Sequence, residues 1–254
     1  MTANDWKSKG EFITVNDHNL FVIDTNPLDK NLPVMVILHG YPTSSYDYYK
    51  VLPKLRKYYR VIIHDHLGFG FSDKPKNHQY SLLKQADIAL QLWNQLGLKN
   101  VTLFAHDYGT SVATEIVARH NTGSLAIHIE ELILSNGSIH IELSQLRTIQ
   151  KLLKHRFLGK YVAKLTNYPI FRKNIRNIYF DKSKVTDREL KEMWHLIELN
   201  GGREIIHKLT QYITERYQYW DRWVGALKET SIKTKIIWAK NDPIAIPAIA
   251  ELLA

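Results

Sequence analysis

The stretch NVTLFAHDYGTS, Asn100 to Ser111, decides the fold of this chain. An apolar, β-rich run ends at Ala105, and helix-forming residues follow Gly109. Small residues on both sides of Asp107 permit a sharp strand-to-helix turn, the outline of a nucleophile elbow with aspartate where serine is usual. Such a turn places the side chain near the positive end of the following helix, which favours an ionised carboxylate. An ordinary helix N-cap aspartate is the alternative.

A second motif, LHGYP at Leu38–Pro42, ends an earlier apolar strand. In folds with a nucleophile elbow, one oxyanion donor comes from this loop and the other from the residue after the nucleophile. We therefore expect the backbone N–H groups of Tyr41 and Tyr108 to form an oxyanion hole. His39 and Gly40 belong to the same oxyanion and substrate-binding loop. A plain strand-to-loop turn is the alternative interpretation.

The third candidate, Asp242, follows the strand KIIWA in the segment AKNDP. A carboxylate after a late strand orients the general-base histidine of a triad. Asn136, after the strand ELILS, occupies the other position at which such an acid occurs, but it cannot ionise. This comparison favours Asp242, although Asp–Pro at a strand end is also a common turn.

Other motifs give no metal or cofactor site. His64 and His66 would share one strand face, but no further ligands with zinc spacing accompany them, so we interpret them as structural. Gly68 and Gly70 lack the third glycine and the ribose acid of a dinucleotide fingerprint and indicate a tight loop. The chain has no cysteine, which excludes thiolate ligands and cysteine nucleophiles. His106 is expected to point into the core.

Strands and helices alternate through the first half of the chain, which predicts an α/β fold with a mostly parallel sheet. Residues 1–138 are predicted to form the first part of the core, beginning with a hairpin whose turn spans Asn16–Asn19. Residues 139–229 are helical, basic and aromatic, and predict a helical lid over the carboxyl edge of the sheet, where ligands bind. Residues 230–254 return to the core with one strand and a partial helix.

The composition suits one globular domain with an insertion, since 44% of the 254 residues are hydrophobic. Neither a signal peptide nor a membrane span is visible, so we expect a cytoplasmic protein. The net charge is +9, and residues 151–191 hold 12 Lys/Arg against three acids, a local surplus of 12 − 3 = 9. This basic segment could meet an anionic membrane surface or an acidic partner. A solvated basic face is favoured, because aromatic residues are not regularly interleaved, and no nucleic-acid motif is present.

Together these motifs resemble the aspartate-nucleophile α/β hydrolases, which include epoxide hydrolases and haloalkane dehalogenases. The resemblance is carried by HGYPTSSYDYY, DHLGFGFSDKP, AHDYG, LSNG and QYITERYQYWDRWVGAL. These segments are most similar to the mesoderm-specific transcript branch, which is epoxide-hydrolase-like. The resemblance covers nearly the whole chain. It implies an α/β-hydrolase fold in which Asp107 is the nucleophile and forms a covalent ester.

Within this group the resemblance favours epoxide hydrolysis over dehalogenation. Dehalogenases typically hold halide with a tryptophan where this chain has Tyr108, and many have asparagine where it has Tyr41. Epoxide hydrolases use lid tyrosines to donate to the epoxide oxygen, and Tyr212 lies in a similar Leu-x-x-Tyr-x-x-x-Arg segment. Tyr161 and Tyr168 are candidates for its partner, and core packing is the alternative role for any of them. An aromatic, apolar pocket implies a small, lipophilic, uncharged substrate.

The sequence departs from this group after Asp242. The family places its catalytic histidine beyond one further strand, but only 254 − 242 = 12 residues follow here, and none is histidine. We therefore expect the last strand, the histidine loop and the closing helix to be missing, through truncation, gene decay or fragmentation. An uncovered sheet would then lower stability and promote aggregation or dimerisation.

Two hypotheses of different classes follow from this departure. In the first, the chain is an epoxide-hydrolase-type enzyme whose Asp107 is alkylated once and then stalls, because no histidine activates the hydrolytic water. In the second, it is a non-catalytic protein that keeps the pocket and the lid to bind a ligand or a partner.

Overall fold

The computed structural model describes residues 1–29 and 31–254. Its centre is one seven-stranded sheet with the spatial order β1-β2-β4-β3-β5-β6-β7. The strands are β1 (Glu11–Val15), β2 (His18–Asp24), β3 (Val34–Leu38), β4 (Arg60–His64), β5 (Asn100–His106), β6 (His128–Ser135) and β7 (Lys233–Ile237).

Helices cover the sheet and fill the long connection between β6 and β7. Those outside this connection are α1 (Ala3–Lys7), α2 (Leu52–Leu55), α3 (Leu82–Gln95), α4 (Tyr108–Asn121) and, after β7, α12 (Pro247–Leu253). Those within it are α5 (Thr148–Leu153), α6 (Gly159–Leu165), α7 (Tyr168–Arg176), α8 (Asp187–Glu198), α9 (Gly202–Leu209), α10 (Tyr212–Gln218) and α11 (Trp220–Glu229). No helix in residues 1–29 and 31–254 is long and apolar enough to span a bilayer.

The sheet is mixed only at one edge. Strands β3 to β7 run parallel to one another, whereas β2 runs antiparallel to both β1 and β4. The hairpin turn consists of Asn16 and Asp17, with φ of 47° and 61°, so β2 begins at His18. Two-residue turns of this kind need positive φ at both positions, which Asn and Asp tolerate. The predicted four-residue turn was therefore two residues too long.

Strand β3 is apolar throughout and its neighbours β4 and β5 are mainly apolar, because both faces of the central sheet are covered. Val36 and Leu38 of β3 join the core beneath α3 and α4, and the alternate residues Met35 and Ile37 join the core on the opposite face. This alternation follows from the two-residue repeat of a strand. The sheet therefore forms a rigid platform whose carboxyl edge can hold side chains in fixed positions.

Candidate active site

Asp107 occupies a strained turn between β5 and α4. Its φ of 47° and ψ of −108° lie outside the usual regions for a non-glycine residue, a kind of strain that clusters at functional sites. Its side chain makes no N-cap hydrogen bond, which removes the ordinary capping alternative. The N–H of Gly109 donates to the carbonyl of His39 at 3.0 Å. A Cβ on Gly109 would lie 2.2 Å from the Leu38 carbonyl oxygen, so only glycine permits this approach.

The loop after β3 lies directly against this turn. A Cβ on Gly40 would lie 3.0 Å from Nδ1 of His106 and 3.1 Å from Cβ of Asp107. The Tyr41 backbone acts on the Asp107 carboxylate as a hydrogen-bond donor and lowers its pKa. Tyr108 is the first residue of α4, so its N–H has no acceptor within the helix. The Tyr41 donor therefore lies at the Asp107 carboxylate, and the Tyr108 N–H, at the start of α4 directly after Asp107, remains the predicted second donor.

Opposing effects act on the pKa of Asp107. Burial raises the pKa above its ordinary value, and the nearby Asp242 carboxylate adds to the increase. Arg216, His106 and the Tyr41 backbone lower it. The side chain keeps 29% of its surface exposed, so it is open to a ligand while remaining largely shielded.

Arg216 is the cation that opposes the burial of Asp107. It is 2% exposed, and its Nη2 donates to the Asp107 carbonyl at 3.0 Å and lies 3.7 Å from the Asp107 Oδ1. Its Nε donates to Ser111 Oγ at 2.7 Å, and its guanidinium lies 4.5 Å from the Tyr212 ring centroid. The sequence argument used this arginine only to align Tyr212. The four-residue spacing between them, which places both on one helix face, was the available signal.

Tyr41 and Tyr212 both line the cavity above Asp107, but their hydroxyl protons differ in availability. Thr210 Oγ1 donates to the Ile206 carbonyl at 2.6 Å, so the Tyr41 hydroxyl, 2.9 Å away, must donate to Thr210. The Tyr212 hydroxyl instead accepts from Gln150 Nε2 at 3.2 Å, which leaves its own proton free. Burial raises the pKa of both phenols, so both remain protonated.

The side chains of His39 and Tyr108 do not line this cavity. His39 Nε2 accepts from the His66 N–H at 3.0 Å, so its Nδ1, 2.8 Å from the Gly40 carbonyl, is the donor. Burial lowers the His39 pKa to about 3, and the ring stays neutral and supports the loop. The Tyr108 ring packs against His66 and Tyr212 instead. The His39 ring therefore lies beneath the loop and outside the cavity wall, and its assignment to the oxyanion and substrate-binding loop remains a prediction.

The two proposed partners of Tyr212 also lie away from the cavity. Tyr161 is 57% exposed, and the Tyr168 hydroxyl donates to the Asp187 carbonyl. Their helices contribute other side chains to the cavity, because residues on one helix point in different directions around its axis. Tyr212 is thus left without a second phenol that has a free proton at this cavity within the described chain.

Asp242 and Asn136, the alternative positions for the acid, are in direct contact. Asn136 Nδ2 donates to Asp242 Oδ2 at 2.6 Å. The other oxygen, Oδ1, accepts from the N–H groups of Ile244 and Ala245 at 2.8 Å each. Asp242 faces the same cavity as Asp107. No imidazole in residues 1–29 and 31–254 hydrogen-bonds to this carboxylate.

A cavity of about 180 Å³ lies above Asp107 at the carboxyl edge of the sheet. The helices of the β6–β7 connection supply most of its walls, which are apolar: Ile149, Leu153, Phe171, Ile175, Trp194 and Ile206. A second, more open cavity of about 550 Å³ adjoins it. His106 lines both cavities instead of pointing into the core, because it is the last residue of β5 and lies at the edge of the sheet.

Asp47 lines the second cavity and was missed by the sequence argument, although it lies within the HGYPTSSYDYY segment. One of its carboxylate oxygens accepts from Thr43 Oγ1. The other, Oδ1, is buried and has no hydrogen-bond partner in the described part of the chain. Burial raises the Asp47 pKa to about 7, and repulsion from Asp65 and Asp107 adds to the increase. Asp47 can therefore exchange a proton near neutral pH.

His64 and His66 are fully buried, as expected of structural residues. Burial lowers the pKa of His64 to about 3, and it lowers that of His66 as well. Across residues 1–29 and 31–254, no cluster of three or more His, Asp or Glu side chains is arranged to hold a metal ion.

Comparison with known proteins identifies the fold family. The model of the alpha/beta hydrolase fold family matches residues 33–254. The chain is 40% identical over 246 residues to the mesoderm-specific transcript protein of Mus musculus, covering 95% of this chain and 73% of that protein. It is 36% identical over 244 residues to the putative hydrolase LipZ of Mycobacterium tuberculosis, covering 96% and 83%.

A solved structure shows the same fold at lower sequence identity. The crystal structure of the haloalkane dehalogenase DbeA from Bradyrhizobium elkani superimposes with a TM-score of 0.79 and 20% identity, covering 96% of this chain and 85% of that one. At this identity the likeness concerns the fold alone. With the family match and the relatives above, the chain belongs to the α/β hydrolase fold family and is a hydrolase of that fold.

Proposed function

We propose that this hydrolase uses Asp107 to open an epoxide ring on a small lipophilic molecule, through a covalent ester. One observation carries the proposal: the Asp107 carboxylate faces an apolar cavity into which Tyr212 presents a hydroxyl whose proton is not otherwise engaged. A nucleophile and a proton donor at one cavity are what epoxide opening requires. Helices α5–α11 would act as the lid that keeps water away from the first step.

In the first step, a carboxylate oxygen of Asp107 attacks an epoxide carbon. The C–O bond of the ring breaks, its electron pair stays on the oxygen, and that oxygen takes the Tyr212 proton. Carboxylates attack without a base, because the ordinary aspartate pKa of about 3.9 leaves them ionised near neutral pH. Arg216 preserves this state against burial, since its charge lowers the Asp107 pKa.

In the second step, water adds to the Asp107 carbonyl carbon, and the N–H groups of Tyr41 and Tyr108 stabilise the oxyanion. The ester C–O bond then breaks. The leaving oxygen takes one proton of the water and the other returns to the Tyr212 phenolate, which releases a diol and restores both the carboxylate and the tyrosine. The water must lose a proton, and general-base catalysis is worth about 10²–10⁴-fold. Because Asp242 is bonded to Asn136 and to backbone N–H groups and orients no imidazole, we expect this step to be slow and the ester to accumulate.

The cavity walls support the choice of substrate. A volume of about 180 Å³ with mainly aliphatic and aromatic walls fits a small uncharged epoxide better than a charged or sugar-like molecule. Dehalogenation is less well supported, because the side chain after the nucleophile, Tyr108, packs against other rings and is not available to a halide at the cavity.

The test is a mass measurement on the chain after incubation with a panel of lipophilic epoxides. We expect a gain equal to the mass of one epoxide, located on Asp107 by peptide mapping, and no gain for Asp107→Asn. Single-turnover hydrolysis in water enriched in heavy oxygen should place the label in the Asp107 carboxylate. An adduct elsewhere, or an equal adduct on Asp107→Asn, would refute the proposed nucleophile.

The alternative is a non-catalytic protein that binds a lipophilic ligand. The observation that favours it is the engagement of Asp242 by Asn136, which occupies the oxygen that would otherwise orient an imidazole. If correctly folded protein forms neither adduct nor diol, yet binds an unreactive lipophilic analogue in calorimetry, this alternative replaces the enzymatic proposal.

A further inference from the structure

The outward surface of α5 and α6 exposes apolar side chains that the core does not use. Five residues, which we call the outer patch, have large exposed fractions: Leu152 41%, Phe157 69%, Leu158 49%, Tyr161 57% and Leu165 74%. Leu158, Tyr161 and Leu165 follow a three-then-four spacing and so form one stripe along α6. Contiguous exposed apolar surface of this kind marks interaction sites, whereas single exposed residues do not.

The opposite face of α6 is the one that packs on the protein. Gly159 and Ala163 are buried, and a Cβ on Gly159 would lie 3.2 Å from the Cβ of His207 on α9. Small residues on the inner face bring α6 close to α9. The stripe of large residues is therefore held outward by the packing of the helix.

Cations surround the outer patch. Lys151, Arg156, Lys160 and Lys164 lie between or beside its members, and the sequence has no Asp or Glu between Glu142 and Asp181. Within residues 1–29 and 31–254, no carboxylate lies within 4.0 Å of the nitrogens of these four side chains. These four cations therefore lie beside the apolar stripe without a close ion pair, although Glu204 is near enough for Lys164 to lower its pKa.

Two of these cations lie over aromatic rings of the patch. Lys160 Nζ is 4.9 Å from the Tyr161 ring centroid, and the Arg156 guanidinium is 5.8 Å from that of Phe157. Long basic side chains can cover apolar surface with their stems while their charged ends remain in water. The sequence argument favoured a solvated face because aromatics are not evenly spaced along the chain. Both cation–ring pairs are neighbours in the chain, and a solvated basic face remains the alternative that the experiments below test.

The outer patch adjoins the cavity above Asp107. Thr166, which directly follows Leu165, lines that cavity. Ile170 on α7 also lines it, and yet 39% of Ile170 is exposed to solvent. A lipophilic molecule resting against the patch would therefore lie beside apolar residues that continue into the cavity.

We propose that the outer patch docks on an anionic lipid bilayer, which brings the cavity to a source of lipophilic molecules. Leucine and aromatic side chains insert at the boundary between headgroups and acyl chains, while lysine and arginine pair with anionic headgroups. An acidic protein would match the cations but would leave the protruding apolar stripe without a matching environment. Docking is independent of the Asp107 chemistry and can be measured without substrate.

The first test is co-sedimentation of the full chain with vesicles of phosphatidylcholine, with and without phosphatidylserine. We expect binding to the anionic vesicles only, and weaker binding as salt is raised, because surface charges are screened within about 10 Å at 0.1 M salt. Soluble glycerophosphoserine should not compete. No binding to anionic vesicles, or complete competition by the free headgroup, would overturn the proposal.

Matched variants separate the patch from general surface charge. We expect Phe157→Ser with Leu158→Ser, and separately Lys160→Glu with Lys164→Glu, each to weaken binding by roughly tenfold or more. The control is Lys57→Glu with Tyr58→Ser, because Tyr58 is also 69% exposed but lies just before β4, far from the patch in sequence. Equal loss in the control, or unchanged binding by the apolar variant, would refute docking through the patch.

A site-specific label adds a readout that does not depend on loss of binding. The chain has no cysteine, so Leu158→Cys and Tyr58→Cys each supply one unique thiol for a nitroxide label. On anionic vesicles, the label at position 158 should become accessible to oxygen and protected from a water-soluble relaxing agent, whereas the label at position 58 should not change. Identical behaviour of the two labels would show that the patch does not enter the bilayer.

Discussion

Asp107 and Asp47 face connected cavities in this protein, and their surroundings differ in a way that favours different tasks for the two carboxylates. Asp107 has a cation, Arg216, within 3.7 Å and a backbone donor in the Tyr41 loop, both of which lower its pKa. Asp47 has only the Thr43 hydroxyl, and its second oxygen has no hydrogen-bond partner in the described chain. Burial raises the pKa of each, but only Asp107 is compensated by an adjacent positive charge.

The difference shows that burial alone does not make a nucleophile. A carboxylate attacks carbon only when it is ionised, and burial without a partner charge favours the neutral acid. The Arg216 charge favours the ionised form of Asp107 and opposes the burial that raises its pKa, whereas Asp47, with a pKa of about 7, has no such partner and can hold or release a proton near neutral pH. The following substitutions test that contrast, beginning with the largest expected effect.

Removing the Asp107 carboxylate should abolish ester formation. Asp107→Asn keeps the shape of the side chain but has no anionic oxygen, so we expect the rate of adduct formation to fall by more than about 10³-fold. Asp47→Asn is the matched control and should retain at least about half of the natural rate, because its carboxylate does not attack the substrate. Mass spectra recorded over time measure both. Loss of the adduct in Asp47→Asn alone would reverse the assigned tasks.

Removing the compensating cation should make Asp107 behave more like Asp47. Arg216→Met leaves a buried carboxylate and carbonyl without their donor and should destabilise the fold by about 3 kcal/mol. It also removes a charge that lowers the Asp107 pKa, so that pKa should rise. Ester formation should then decline at neutral pH and recover as the pH increases.

The control for this prediction is Arg222→Met on α11. Arg222 pairs with Glu115 at 2.8 Å and is 44% exposed, so it is an arginine of the same region with no contact to Asp107. Its pH profile for ester formation should match that of the natural chain. If Arg216→Met also keeps the natural profile, the arginine only supports the turn.

The two cavity tyrosines provide a narrower contrast. Tyr212→Phe removes the hydroxyl that keeps its own proton, and we expect ester formation to slow by about 10²-fold. Tyr41→Phe removes a hydroxyl that already donates to Thr210, so the rate should change by less than about tenfold. The measurement is the rate of adduct formation with one epoxide, compared between Tyr212→Phe and Tyr41→Phe. Equal effects would mean that the proton donor is not Tyr212.

The sequence predicted the parts of this site that depend on backbone pattern. Alternation of strands and helices, the small residues around Asp107 and the LHGYP loop were sufficient for the fold and the elbow. These signals are local in the sequence, because a strand-to-helix turn needs small neighbouring residues wherever it occurs. The insertion between β6 and β7 is helical as expected, whereas the boundaries proposed at residues 138/139 and 229/230 remain predictions.

Side-chain direction was beyond the sequence. His39, Gly40 and Tyr41 are consecutive, yet only Tyr41 lines the cavity, and the His39 ring turns inward to bond with the next strand. Arg216 and Asp47 lie far from Asp107 in sequence. The four-residue spacing aligned Arg216 with Tyr212, but it did not show that either Arg216 or Asp47 approaches Asp107. The compensation of the Asp107 charge by a residue from a distant segment could therefore be recognised only in the three-dimensional structure.

The smallest expected effect concerns the stability contributed by Asp47. Its folded pKa of about 7 exceeds the ordinary 3.8, so the neutral acid is favoured in the folded state. The contribution to stability is fully present below pH 3.8 and is lost as the pH rises through about 7. This pKa difference corresponds to about 4 kcal/mol in free energy of unfolding for a completely buried carboxyl. The partial exposure of Asp47 reduces that value to about 2 kcal/mol.

Asp47→Asn cannot ionise and should remove this dependence. Relative to the natural chain, the variant should gain about 2 kcal/mol in free energy of unfolding at about pH 8 and less than half of that at about pH 5. The penalty on the natural chain grows between pH 3.8, above which the unfolded carboxyl ionises, and about 7, so only part of it has developed at about pH 5. Denaturant unfolding at the two values measures the difference. Asp24→Asn is a suitable comparison. Asp24 pairs with Arg60 at 2.6 Å, so this substitution should destabilise the folded protein. Equal stability changes in Asp47→Asn at both pH values would show that Asp47 is ionised throughout and that its unpartnered oxygen is solvated.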